Sequence, residues 1–209
     1  MLRNLALPLA LSLVFLSSVG RTASPEDAPP PALARPASSI KVAILPVVAA
    51  WSDADEPARA ERVAQGSDDL LKLFAERGFS LIDGESVARA VADLKLDMNR
   101  PADRTRASLD RIGDALGADW VVLVTVTELT QQRVKAPITD TDELVTRATM
   151  QTWVIDLAEG KTLLGGESSS CPLHSDPGAR KPKNVVGAAA REALRGVLAP
   201  FPVRKERAD

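Results

Sequence analysis

The sequence predicts a single α/β domain: one mixed sheet with flanking helices, in the order β-α-β-α-α-β-β-β-α. Three observations predict it. Residues 40–48 and 119–129 are apolar runs rich in Val and Ile, the pattern of strands covered on both faces. The segments between them carry apolar residues at helical spacing. Residues 143–157 alternate, and a tight Gly-containing turn leads from them into a further strand over 161–170, the pattern of an antiparallel hairpin.

Residues 40–48 (IKVAILPVV) are expected to form the first strand. Pro57 suits the first turn of the helix that follows, with Val63, Ser67, Leu70, Leu71 and Phe74 on one face and Gly78 as its stop. Residues 79–82 give a short second strand. Asp83 is placed to cap a helix striped by Val87, Ala90, Val91 and Leu94. A third helix buries Leu109, Ile112 and Leu116 and ends at Gly117. In 119–129, Val122, Val124 and Val126 face one way and Leu123, Thr125 and Thr127 the other. Residues 130–142 are polar and contain Pro137, which predicts a loop. Trp153, Ile155 and Leu157 share a face of the next strand, and residues 172–182 read as loop. Residues 183–198 form a last helix with the stripe Val186, Ala189, Ala190, Ala193, Leu194 and Val197. The first crossovers favour parallel, right-handed connections, and the later strands an antiparallel meander.

Ahead of the domain, residues 5–19 form an apolar run of signal-peptide length behind Arg3, with Ser18 and Gly20 at the small-residue positions of a cleavage site. Cleavage after Gly20 is expected; an uncleaved anchor is the alternative. Residues 21–39 carry five prolines and many small residues and read as an extended linker reaching roughly 60 Å. Residues 40–199 are the domain and 200–209 a charged tail. The 209-residue chain has a net charge of −2, and removing Arg3 with the signal segment makes it −3. That balance argues against nucleic acid as a partner. No further run is long enough to span a membrane, and no Cys follows the signal segment to take a lipid anchor.

Gly160-Lys161-Thr162 is the tail of a phosphate-binding loop, but the rest of the loop is missing. Ile155 stands where its first glycine belongs, and Thr162 continues into a strand rather than a helix. Residues 158–160 therefore read as a hairpin turn with Gly160 at positive φ. Cys171 and His174 are the one Cys and the one His. They suggest a nucleophile and base, or half of a metal site, but nothing completes either set, and a free thiol and a solvated His in an exposed turn are expected. Ser168, Ser169 and Ser170 lack the glycines of a hydrolase elbow. Asp53, Asp55 and Glu56 match no calcium loop. No catalytic residue, metal or cofactor is expected.

The segments KVAILPV, ERGFSLID, IGDALGADWVVLVTVTEL and WVIDLAEGKTLLGGE recur in an order that resembles bacterial envelope proteins related to CsgG, LpoB and the N-terminal domain of TolB. The resemblance spans roughly residues 40–199. It implies a fold similar to anticodon-binding domains, no catalysis, and action by binding other envelope proteins or by self-assembly. Gly117, Ala118, Asp119, Asp156 and Gly160 would be structural. Two departures stand out. The lipid-acceptor Cys of CsgG and LpoB is lacking, and residues 131–135 carry polar and basic side chains where a pore hairpin would face lipid. The expectation is an exported periplasmic or envelope-associated accessory protein that docks envelope proteins or copies of itself through Trp51, Asp53, Arg133 and Lys135. An LpoB-like regulator of peptidoglycan synthesis is the alternative, and a Cys/His-dependent enzyme ranks last.

Overall fold

A computed structural model describes residues 35–50, 57–135, 142–175 and 184–203. The signal segment, most of the linker, Trp51 and Asp53 lie outside these residues. The elements are β1 (Lys41–Ile44), β2 (Val48–Ala49), α1 (Pro57–Ala75), β3 (Ser80–Leu81), α2 (Gly84–Asp93), α3 (Arg106–Leu116), β4 (Trp120–Lys135), β5 (Asp142–Asp156), β6 (Lys161–Ser175), α4 (Val185–Ala193) and α5 (Arg195–Leu198). Short 3-10 turns stand at Ala37–Ser39 and Pro101–Asp103. The sheet runs β3-β1-β4-β5-β6, with β2 alongside β4 beyond the end of β1. Pairing is parallel at β1–β3, β1–β4 and β2–β4 and antiparallel from β4 to β6. The predicted mixed α/β sheet with flanking helices is the observed one.

Apolar alternation on β4 divides the core. Val122, Val124 and Val126 join Val42 and Ile44 under α1, α4 and α5, where Leu70, Phe74, Val186, Ala190 and Leu194 are buried. Val121 and Leu123 join Ala43, Leu45 and Ile155 under α2 and α3, against Val87, Leu109 and Ile112. The caps follow the sequence. Asp83 accepts from the Ser86 amide at 2.8 Å, and Gly117 ends α3 in the left-handed conformation. Gly160 has φ of 64° in the turn from β5 to β6, and Lys161 and Thr162 already belong to β6, as expected of a hairpin rather than a phosphate loop.

Four expectations need correction. The first strand is broken at Pro46, which has no N–H to give a ladder. The chain leaves the sheet there, the Val47 amide donates to Ser67 Oγ at 3.0 Å, and the chain rejoins β4 as β2. On α1 the buried residue is Leu73, at 3% exposure, while Leu71 is 38% exposed. The last helix begins at Val185 and is interrupted at Leu194 before α5. The largest difference concerns the meander. Residues 130–135 extend β4 and residues 172–175 extend β6, where loops were expected.

Residues before the domain are tied to its sheet. Arg35 pairs with Asp119 at 2.9 Å, and the other Asp119 oxygen accepts from the Lys41 amide at 2.8 Å. Partial burial works against the Asp119 charge, but the Lys41 amide and the Arg35 guanidinium outweigh it and hold the carboxyl below its ordinary value. Its stabilisation is therefore complete above the unfolded carboxylate pKa and disappears as pH falls through the lower, folded value. Asp119→Ala is expected to cost about 1–2 kcal/mol at pH 7. Urea titrations should show that gap closing below about pH 4. A gap that persists in acid would mean that Asp119 contributes packing alone.

Candidate partner-binding surface

The site grows out of the meander's extension. The ladder between β4 and β5 is regular up to Val126, shifts by one residue at Thr127, and then continues to Lys135 opposite Asp142. A bulge of this kind leaves one residue unpaired and bends the strand. Beyond it Leu129 still faces the helices at 7% exposure, and so do Thr146 and Ala148 on β5. The other face carries Glu128, Thr130, Gln132 and Val134 from β4, Val145, Arg147 and Thr149 from β5, and Ser170 and Pro172 from β6. Nearer the start of β4 this face is covered by α2 and α3. Over the extension no helix among the described residues covers it, and these side chains line a shallow groove of about 590 Å³.

The groove is polar, and a charge lies at its centre. Arg147 stands opposite Thr130 on one side and Pro172 on the other. Its side chain is exposed, and among the described residues no carboxylate pairs with it. Glu128 is occupied differently: Thr149 Oγ1 lies 3.3 Å from its carboxylate and 3.4 Å from Ser170 Oγ. Val134, 37% exposed, and Val145 supply apolar contact at the outer end. An unpaired guanidinium on a rigid strand, flanked by hydroxyls and two valines, can take up a carboxylate in two parallel hydrogen bonds while its rim excludes water.

Of the residues singled out from the sequence, Arg133 and Lys135 lie exposed at the tip of β4, in alternate positions to the groove residues. They point to the opposite face of the sheet and do not line the groove. Trp51 and Asp53 lie outside the described residues. Arg147 was missed, although its signal was present. In 143–150 the buried set Thr146, Ala148 and Met150 alternates with Val145, Arg147 and Thr149, so the second set had to face away from the core. Cys171 and His174 are not in an exposed turn. Both are in β6, opposite Ala148 and Val145, and the odd spacing puts the two positions on opposite faces of the strand. Cys171 is half-buried against the helix-covered core. Among the described residues no helix is long and apolar enough to cross a membrane.

No protein-family model matches the sequence, and neither does any curated protein. Among solved structures the chain is similar to lipoprotein GNA1162 from Neisseria meningitidis, at 16% identity over 77% of this chain and 99% of that chain, with a TM-score of 0.46. It is similar to a PelC dodecamer subunit from Paraburkholderia phytofirmans at 15% identity over 80% and 92%, with a TM-score of 0.42. Similarity to the LpoB C-terminal domain from Escherichia coli is 15% identity over 68% and 87%, with a TM-score of 0.38. At these identities and scores the similarities carry no functional argument.

Proposed function

We propose that this chain is a non-enzymatic accessory module of the bacterial envelope that docks a partner protein on the bare face of its meander extension. The observation that carries this reading is the open groove centred on unpaired Arg147. Three strands held in a continuous ladder form a stiff platform, and little conformational entropy is left to lose when a partner seats on it. The platform fits a partner that offers an acidic side chain to Arg147 and apolar contact to Val134 and Val145. Export rests on the signal-like residues 1–20.

The test uses the tagged full-length chain in its native envelope, with a photo-crosslinking residue at Gln132 in the groove or at exposed Arg89 on α2. One defined adduct from position 132 and none from position 89 is expected. Arg147→Glu should weaken capture by about tenfold or more without moving the melting temperature. Equal adducts from both positions, or undiminished capture by the Arg147 variant, would sink the reading. Regulation of a peptidoglycan synthase remains a narrower proposal, supported by the sequence resemblance and the Pro-rich residues 21–39. Recovery of such a synthase as the position-132 adduct is its test.

A further inference from the structure

A second cleft, on the helix-covered side of the sheet, shares no lining residue with the groove. It encloses about 490 Å³ between the end of α1, β6, α4 and α5. Leu198, Phe201 and Pro202 make its apolar wall, and it is also lined by Arg77 just beyond α1 and by Arg191 and Arg195, four residues apart on α4 and α5. Glu192 is the lining acid, and it is tied to Arg195. Among the described residues Arg77 and Arg191 have no carboxylate partner.

One terminal nitrogen of Arg77 donates to the Leu73 carbonyl at 2.9 Å, an ordinary use of a basic side chain at a helix C-terminus. That bond uses Nη1; the Nε is closed to solvent and lies out of reach of a ligand in the cleft. Two guanidinium groups lining one cleft without a carboxylate partner among the described residues call for a negatively charged acceptor.

We propose that this cleft binds a small amphipathic carboxylate: a compact hydrocarbon body carrying one anionic head. The head accepts from Arg77 and Arg191, and the body lies against Leu198 and Phe201. The volume suits a small ligand. A peptide terminus offers the same head group but fits less well. Its amide N–H groups would be buried where the lining acid is already engaged by Arg195.

Cys171 lines the cleft as a half-buried free thiol and serves as a built-in reporter. The experiment measures the rate at which a maleimide labels Cys171 in the full chain, with octanoate added below its micellar concentration. Octanoate is expected to slow labelling saturably. At equal concentration n-octanol, inorganic phosphate and an acetylated tripeptide ending in Leu should have little effect. Arg191 is exposed, so Arg191→Glu should fold normally while weakening octanoate protection by about tenfold, and Arg191→Lys should recover part of it. Labelling indifferent to octanoate would overturn the proposal, as would equal protection by n-octanol or by phosphate. Protection by the tripeptide alone would assign the cleft to a protein terminus instead. Undiminished protection of the Arg191→Glu variant would remove the anionic half of the argument.

Discussion

Gly66→Val is expected to destabilise the protein by about 3 kcal/mol or more, read as a lower urea midpoint with an unchanged slope. Gly66 on α1 faces α4 at a distance that admits no side chain. A Cβ added there would stand 2.4 Å from Val186 Cγ1 and 3.1 Å from Val186 Cβ. Val186 is fully buried, and its β-branched side chain is stiff at χ1, so it cannot swing aside. Accommodation therefore has to come from separating the two helices, which also opens the contact one turn on. There Gly187 approaches Asp69, and a Cβ at Gly187 would lie 2.9 Å from the Asp69 Cβ. Asp69 accepts from Asn184 Nδ2 at 3.0 Å, and Asn184 Oδ1 caps α4 by accepting from the Gly187 amide at 3.0 Å. Moving α4 away thus strains a cap worth about 1 kcal/mol in addition to the overpacking. Helix propensity gives back at most about 1 kcal/mol when glycine is replaced, less for valine, and does not reverse the sign. Ala64→Val, an exposed change on the same helix, should stay within about 0.5 kcal/mol. Equal effects of the two substitutions would mean that the α1–α4 contact is not the tight one described.

The close approach of α1 and α4 also marks where sequence reasoning stops. The sheet was legible because each strand's core half carries its own apolar signal. Val122, Val124 and Val126 on one face and Val121 and Leu123 on the other announce a strand covered twice. The caps at Asp83 and Gly117 were legible because capping is a matter of neighbouring residues. Gly66 and Gly187 carry no such mark. A glycine inside a helix reads as a weakness until the partner helix is known, and that partner lies more than a hundred residues away.

The extension that forms the groove was missed for a related reason. Residues 130–135 have little apolar periodicity, since neither of their faces reaches the main core. What holds them extended is the ladder to residues 142–147. Backbone pairing depends on the partner strand and leaves little trace in composition. The bulge at Thr127 deepens the problem by exchanging the two faces, so that parity counted from Val122 gives the wrong side for every residue from Glu128 on. Arg133 and Lys135 were recognised as exposed basic residues, which they are, but the face that carries the groove belongs to Gln132, Val134 and Arg147.

Phe201→Ala is expected to cost about 3–5 kcal/mol, although Phe201 lies within residues 200–209, which read as a charged tail. Composition hides it, because one aromatic among charged residues looks like surface. In the fold Phe201 is 8% exposed, with its ring centroid 4.8 Å from that of Phe79 and 5.6 Å from that of Trp120, the latter edge-on. Phe79 in turn lies 5.2 Å from Phe74. The cluster thus joins α1, β4 and the end of the chain, and removing one ring loses its transfer free energy, its aromatic pairs and the filling of the space it occupied. Val203, half exposed two residues further on, supplies the control: Val203→Ala should change stability by less than about 0.5 kcal/mol. The same ring walls the arginine-lined cleft, so Phe201→Ala should also lose octanoate protection of Cys171 while Val203→Ala keeps it. A Phe201 variant with a normal urea midpoint would show that the domain closes without its last aromatic, and that the cleft lacks the fixed wall the ligand argument requires.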